Sequence, residues 1–246
     1  MSSSYGPLAS WYDRLTADIP YEAFLRFYER EFSEDGGNFQ TLLDLCCGTG
    51  TLTWLMAEHG YEMIACDASS DMLLQAASKA ADVKVPPLFL CQDAAELDLY
   101  GTVDAAICSL DGIDYIASDD LGAVFDRLHL FVRPHGLFIF DIKTPEWFRS
   151  VDGEVFVDED EDVLCLWRAD FDDEENCIVY GMDIFSKAGR LWRRENEEHI
   201  EYAHSPEMLR EKLEKAGFYD IRLCTDCPQG DKGRMFIIAK NTSIYD

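Results

Sequence analysis

The sequence predicts an α/β fold: a mostly parallel sheet with helices on both faces, joined by an antiparallel β insertion and preceded by helices. Three observations predict it. Between about residues 40 and 150, short apolar runs alternate with helical patterns, and runs that are apolar nearly throughout belong to strands buried on both faces. After residue 150 the runs interleave polar residues and are joined by turn-like stretches, as in an antiparallel meander with one face in water. With 246 residues and 48% hydrophobic content, the chain can supply the core of one large domain.

The elements follow in order. Residues 1–36, with "WYDRLTADIPYEAFLRFYEREF", read as an aromatic-rich helical cap outside the sheet. Residues 37–150 read as the core. "TLLDLCC" is a strand, "TLTWLMAEHG" a helix closed by Gly60, "EMIACDAS" a strand, and "SDMLLQAASKAAD" a helix begun by Ser69 or Ser70. "PLFLCQD" and "VDAAICSL" are strands, "DDLGAVFDRLHLFV" is a helix and "GLFIFDI" a strand. Residues 151–204 supply the insertion, as "EVFVDED", "DVLCLWRADFD", "CIVYGMDIFS" and "LWRRENEEHIEYA". Residues 205–246 begin with a helix capped by Ser205, with Pro206 in its first turn and Gly217 past its end, and finish with "YDIRLCT" and "RMFIIAK" as a hairpin.

Charge and composition narrow the function. The formal net charge of -27 repels polyanions, and no local Lys/Arg cluster could neutralise phosphates. Nucleic acid and anionic membranes are therefore not expected as direct partners. The sequence has neither a membrane-length apolar run nor a signal-peptide layout at its start, so a soluble cytoplasmic protein is expected. Nine cysteines, mostly inside apolar runs, read as buried free thiols. The spacing of Cys224 and Cys227 has no second pair to complete a zinc site, so no metal is expected and a loop with incidental cysteines is the reading. Between Asp152 and Glu175 there are twelve acids and only Arg168 as a base; this is a solvated rim, or a field that attracts cations.

In an open α/β sheet the ligand sits at the carboxyl ends of the strands. The first strand ends in "LLDLCCGTG", where Gly48 and Gly50 permit positive φ and close backbone approach. The second ends in Asp67, nineteen residues after Gly48, where a carboxylate can accept both ribose hydroxyls. A dinucleotide would bring a pyrophosphate toward Asp44 and would want a third glycine where Thr53 stands. The sulfonium and ammonium of S-adenosylmethionine are instead attracted by Asp44.

The ordered stretches "LLDLCCGTG", "ACDAS" with Met72 following, "CQDA", "DAAICSLDGIDYI" and "RPHGLFIFDI" resemble the class I S-adenosylmethionine-dependent methyltransferases over about residues 37–145. The resemblance implies a Rossmann-like seven-stranded sheet with its last strand antiparallel. It also implies that Asp44 and the Cys46–Gly50 backbone face the methionine part of the donor, and that Asp67 takes the ribose. Ala68 and Met72 would line the adenine, Asp93 and Ala94 would hold its amino edge, and Ser109 and Leu110 would lie beneath the methyl. Cys46 departs from the glycine common in the family, so its backbone should avoid the most glycine-specific conformations. Capping for Asp67, core packing for Met72 and a turn role for Asp93 remain open as plainer readings.

Methyl transfer from a sulfonium is an in-line displacement that needs mainly positioning. A hydroxyl acceptor would also need a base. The candidates are Asp111, Asp114 and Tyr115 after the fourth strand, Tyr12 in "WYDRL", and His199, Tyr202 and His204 from the insertion. Helix packing for Tyr115 and surface positions for the histidines are the alternatives. The N-terminal stretch and the insertion resemble a bacterial small-molecule-type subgroup with relatives acting on amino sugars. The expected function is methylation of a small molecule, an amine or a hydroxyl. The alternatives are a donor-binding sensor or partner-binding protein without transfer, and methylation of a macromolecule with a partner subunit.

Overall fold

The computed structural model describes residues 6–79, 83–226, 228, 230 and 233–243. Seven strands form the main sheet: β1 (Thr41–Leu45), β2 (Glu62–Asp67), β3 (Leu88–Cys91), β4 (Val103–Cys108), β5 (Val132–Lys143), β10 (Phe218–Cys224) and β11 (Arg234–Asn241). Their spatial order is β10-β11-β5-β4-β1-β2-β3. β1 to β5 pair in parallel, and β11 runs antiparallel to both β5 and β10. The chain passes from β1 outward to β3 and then crosses to β4 on the other side of β1, so the sheet's switch point lies between β1 and β4.

The apolar runs behave as strands buried on both faces. Leu42, Ile107, Ile139 and Ile238 pack on one face with Phe24, Tyr28 and Phe32 of α2 (Tyr21–Asp35) and Met56 of α3 (Thr51–Glu58). Leu43, Ala106, Phe138, Phe140 and Ile237 pack on the other with Phe125 and Leu128 of α5 (Leu121–Phe131) and Leu209 and Leu213 of α7 (Pro206–Ala216). Burying such side chains contributes roughly 1.5–3 kcal/mol each, which anchors the sheet beneath the site. The predicted caps are present. Ser69 accepts from Met72 N ahead of α4 (Ser70–Ser78), Ser205 accepts from Met208 N, and Gly217 ends α7 in the left-handed region.

A separate sheet, ordered β6-β7-β8-β9, comprises β6 (Val155–Asp160), β7 (Val163–Asp172), β8 (Cys177–Ala188) and β9 (Leu191–Tyr202), all antiparallel. It follows the short helix α6 (Pro145–Ser150). Its inner face buries Val163, Cys165, Met182 and Ile184 around Leu8 from the N-terminal segment, and Ile178 and Tyr180 around Phe148. The outer face is exposed, in line with the one face expected in water, and it carries Val155, Val157, Trp192 and Ile200.

Candidate active site

The site begins where β1 runs out. Residues 46–50 turn the chain from β1 into α3, with Cys46 (φ 56), Gly48 (φ 54) and Gly50 (φ 67) all left-handed. Gly50 is required twice over, because a Cβ there would also come within 3.0 Å of Ala76 and 3.1 Å of Phe89. Cys46 was expected to avoid the most glycine-specific conformations; it takes the left-handed well, which an L-residue reaches at a cost of about 1–2 kcal/mol. Its neighbour explains the small side chain: a Cβ on Gly112 would lie 2.8 Å from the Cys46 Cβ and 2.6 Å from Cys108 Sγ. Leu110 (φ 58) and Asp111 (φ 69) place two further left-handed residues after β4. Backbone strain is thus concentrated at the switch point, where ligand sites collect it.

A cavity of about 510 Å³ opens over these loops. One wall is formed by Asp44, Cys46, Gly48 and Thr49, then Asp67, Ala68 and Met72, then Asp93 and Ala94. Ser109, Leu110, Gly112 and Tyr115 form the facing wall, and Tyr12, Tyr21 and Tyr202 also line the space. Of the residues singled out from the sequence for the donor or for catalysis, Gly50, Asp111, Asp114, His199 and His204 do not line it.

Asp44 is 3% exposed and accepts a hydrogen bond from Thr53 Oγ1. Burial pushes its pKa up to about 7 despite that bond, and the Asp67 charge adds to the shift. Thr53, where a dinucleotide fold would want glycine, therefore holds the acid at the loop entrance. Asp67 Oδ2 accepts from Gly48 N (2.8 Å) and Oδ1 from Ser69 N (2.8 Å), so its carboxylate ties the first loop to the second. Asp93 accepts from Ala95 N and caps a short 3-10 turn at Ala94–Glu96. Ser109 is hydrogen-bonded to the buried Tyr28 hydroxyl at 2.6 Å, which fixes the end of β4 against α2.

The N-terminal segment straps the two halves of the site together. Asp13, in α1 (Tyr12–Leu15), accepts from Thr49 and Thr51 of the β1 loop and pairs with Lys79 Nζ at 2.6 Å. On the other side Leu8 N donates to Glu197 Oε1 (2.8 Å), Leu8 is buried under the insertion, and Arg14 pairs with Asp160 and Asp162. Tyr12 is carried into the cavity wall between these anchors, and burial pushes its pKa far above the usual phenol range.

Beside Leu110 lies a buried ionic cluster from distant strands. Arg234 of β11 bridges Asp111 and Asp141, while Lys143 of β5 bridges Asp111 and Glu201. Asp141 also accepts from Leu110 N (2.9 Å) and Asp111 N (3.4 Å), which holds the strained turn in place. Asp111 was one of several candidate bases. Burial would raise its pKa, but the Arg234 and Lys143 charges outweigh burial and hold it below the usual carboxylate range. Asp114 is the reverse: burial, reinforced by the Asp111 charge, pushes its pKa well above the usual range, while Oδ2 accepts from Lys143 N.

Tyr115 has a different kind of support. Its hydroxyl lies 3.4 Å from His199 Nδ1, and His199 Nε2 lies 3.0 Å from Glu197 Oε2. His199 is fully buried, not a surface residue, and Glu197 also receives Leu8 N. His204 is likewise buried, its Nε2 donating to Ile116 O (2.9 Å), and burial pushes its pKa down to about 4. That leaves it neutral, pinning a cavity-lining stretch to the end of the insertion.

Sequence reading missed Asp13, Tyr21, Tyr28, Glu197 and the Arg234–Lys143 cluster. Their only signal was a charged or aromatic residue inside an otherwise regular element, and nothing local identifies its distant partner. The acidic turns between Asp152 and Glu175 do not line the cavity, and Asp160, Asp162 and Asp173 are ion-paired to Arg14, Lys187 and Arg149. Cys224 is half-buried, and Cys227 lies outside the described residues. Among the described residues no three His, Cys, Asp or Glu side chains are grouped to hold a metal ion, and no helix is long and apolar enough to cross a membrane.

Residues 42–136 match the family model described as a methyltransferase domain. The chain is 29% identical to the putative methyltransferase YqeM of Bacillus subtilis (strain 168), over 97% of each. Among solved structures it is similar to an S-adenosylmethionine-dependent methyltransferase from Clostridium acetobutylicum ATCC 824, at 28% identity and TM-score 0.84, over 98% of this chain and 100% of that one. The sugar N-methyltransferase KedS8 from Streptoalloteichus sp ATCC 53650 shares the fold at 20% identity and TM-score 0.81, over 99% and 98%. The seven-stranded sheet with its antiparallel β11, the loop after β1 and these likenesses agree: the chain is a class I S-adenosylmethionine-dependent methyltransferase.

Proposed function

We propose that this methyltransferase acts on a small-molecule acceptor, at an amine or a hydroxyl, inside the strapped cavity. The observation that carries the reading is the N-terminal segment, anchored through Asp13 to the β1 loop and through Leu8 and Arg14 to the insertion. A methyl group beneath such a roof is accessible to a molecule that fits the cavity and is shielded from a polymer backbone. The net charge of -27 further disfavours nucleic acid. The sugar N-methyltransferase named above shares the architecture, which accords with an amine-bearing acceptor.

In this reading Asp44 and the 46–50 backbone take the methionine end of the donor. Asp67, whose oxygens each accept one backbone N–H and keep a lone pair, takes the ribose hydroxyls. Ala68 and Met72 flank the adenine, Asp93 and Ala94 hold its amino edge, and Ser109 and Leu110 lie beneath the methyl. Tyr12 and Tyr115 orient the acceptor, and Tyr115 is the group best supported for moving a proton, because His199 and then Glu197 stand behind it. Asp111 becomes a positioning residue. The test is to offer the enzyme isotope-labelled S-adenosylmethionine with a dialysable cell extract and, separately, with the macromolecular fraction. Label should enter the dialysable fraction and fall by about 10²-fold or more in Tyr115→Phe and His199→Gln without loss of donor binding. Label appearing only in protein or RNA would overturn the reading.

A further inference from the structure

We propose that the methyl acceptor is a small organic amine that enters the cavity as a cation, carries no phosphate or other anionic group, and is held by Asp120. This rests on the methyl-transfer reading above and narrows its acceptor. Among the described residues, every side chain lining the cavity that carries a formal charge is an aspartate: Asp44, Asp67, Asp93 and Asp120. Recognition of a phosphate calls for arginine, lysine or free backbone N–H groups. The nearby groups of both kinds are already committed. Lys143 bridges Asp111 and Glu201, Arg234 bridges Asp111 and Asp141, and Lys79 pairs with Asp13 at 2.6 Å. Of the loop N–H groups, Gly48 N and Ser69 N donate to Asp67, and Ala95 N donates to Asp93. The phenol hydroxyls of Tyr12, Tyr21, Tyr115 and Tyr202 can donate to an anion, but they bring no charge to offset the carboxylates. A phosphorylated or nucleotide-linked acceptor would therefore meet repulsion with nothing to neutralise it.

Volume points the same way. At about 510 Å³ the cavity has the size of a site for one drug-sized ligand. S-adenosylmethionine is itself a ligand of that size, so the acceptor is the smaller of the two and a second nucleotide has little room beside the donor.

Asp120 differs from the other three aspartates. Asp44, Asp67 and Asp93 each accept a hydrogen bond from the chain. Asp120 is the N-cap residue of α5, where an aspartate ordinarily accepts from the first N–H groups of the helix. Its backbone is already helical (φ -87, ψ -19), and its side chain makes no capping hydrogen bond. It forms no salt bridge among the described residues either. Its carboxylate thus lines the cavity without holding the fold, and the rings of Tyr12, Tyr115 and Tyr202 line the same space. Carboxylates and aromatic rings together suit an ammonium. A protonated amine has no lone pair, so it first gives one proton to Tyr115, which passes its own to His199. The freed lone pair then forms the N–C bond while the C–S bond breaks and its electron pair stays on sulfur, giving S-adenosylhomocysteine and a methylated ammonium.

Ion-exchange fractionation of a dialysable cell extract at pH 7 tests it. The full chain and isotope-labelled S-adenosylmethionine are offered the solutes retained on a cation exchanger, those retained on an anion exchanger and the unretained ones, each with and without prior phosphatase treatment. Label should enter a solute of the cation-exchange fraction, and phosphatase should change nothing. Asp120→Asn should raise the amount of that fraction needed for half-maximal rate by about 2–5-fold, the effect of one exposed ion pair, with maximal rate and donor affinity unchanged. Asp120→Lys should raise it further, because repulsion replaces attraction. Acceptor activity in either other fraction, or its loss to phosphatase, would overturn the inference and leave the small-molecule reading standing. Label confined to the macromolecular fraction would overturn that reading itself. Unchanged half-saturation in both Asp120 variants, or an equal loss of donor affinity, would overturn the part given to Asp120.

Discussion

The wall under β1, β2 and β3 takes its residues in chain order, from Asp44 to Ala94, and works largely through backbone geometry and single carboxylates. The facing wall rests on Asp111, Asp141, Lys143, Glu201 and Arg234, which come from four separate strands or their ends and meet only in the folded molecule. The first wall is a local solution in which the loop conformation follows from glycines and one tolerated left-handed cysteine. The second is a global solution in which several buried charges are held by one another. A local wall fails gently, by losing ligand affinity. A global one should fail as a unit.

Arg234→Met is therefore expected to have the largest effect. It leaves Asp111 and Asp141 facing each other without the shared cation, and breaking a buried pair in this way typically costs about 3–5 kcal/mol. Urea unfolding would measure it, and a loss below about 1 kcal/mol would show that the cluster relaxes or admits water and is not a unit. Arg234→Lys should recover part of the loss, because charge returns without the second hydrogen-bonding arm.

His204 provides a pH test of how the insertion is tied to the facing wall. Its folded pKa of about 4 lies below the 6.5 of an ordinary imidazole, so the unfolded chain binds the proton first as pH falls. The stability it contributes is present above pH 6.5 and is lost as pH falls toward 4, amounting to about 3 kcal/mol. His204→Gln can still donate to Ile116 but does not titrate. The difference between the two stability curves should show this slope, and parallel curves would mean that His204 is hydrated and not buried neutral.

These contrasts also show what was legible in the sequence. Strand identities, both helix caps and the loop after β1 could be read because each depends on residues within a few positions: Leu42 and Leu43 alternate faces, Ser205 caps its own helix, and Gly50 turns its own loop. The pairing of Asp111, one of several candidate bases, was not legible because a carboxylate beside a ligand loop looks the same whether it is free or paired, and Arg234 stands more than a hundred residues later. The wet outer face of the insertion was legible from its alternation, whereas the exposure of Trp192 and Ile200 on that face was not, because an apolar residue in a strand reads locally as buried.

On the local wall, Asp13→Ala should loosen the strap without touching the core. It removes the bonds to Thr49 and Thr51 and the Lys79 pair, worth about 1–3 kcal/mol together in a partly exposed setting. The expected result is faster release of S-adenosylhomocysteine in stopped-flow measurements, with a loss of unfolding stability no larger than those bonds, about 1–3 kcal/mol. An unchanged release rate would mean that the insertion anchors at Leu8 and Arg14 hold the segment by themselves.

Asp44 gives the smallest effect on the fold and the sharpest test of the local wall. Its folded pKa of about 7 lies above the ordinary 3.8, so the neutral acid is favoured by folding; the stability this lends is fully present below about pH 3.8 and is lost as pH rises through 7. A cationic donor reverses the preference, because the ammonium or sulfonium favours the carboxylate. Affinity for S-adenosylmethionine should therefore tighten as pH rises through about 7 and then level off, by roughly 10-fold if the pair is worth about 1.4 kcal/mol. Asp44→Asn should bind with weaker, pH-independent affinity while the unliganded protein melts no lower than the wild type, since the amide can still accept from Thr53. If wild-type affinity were flat between pH 6 and 8, the carboxylate would be charged before the donor arrives, and Asp44 would act through the loop's shape and not through its charge.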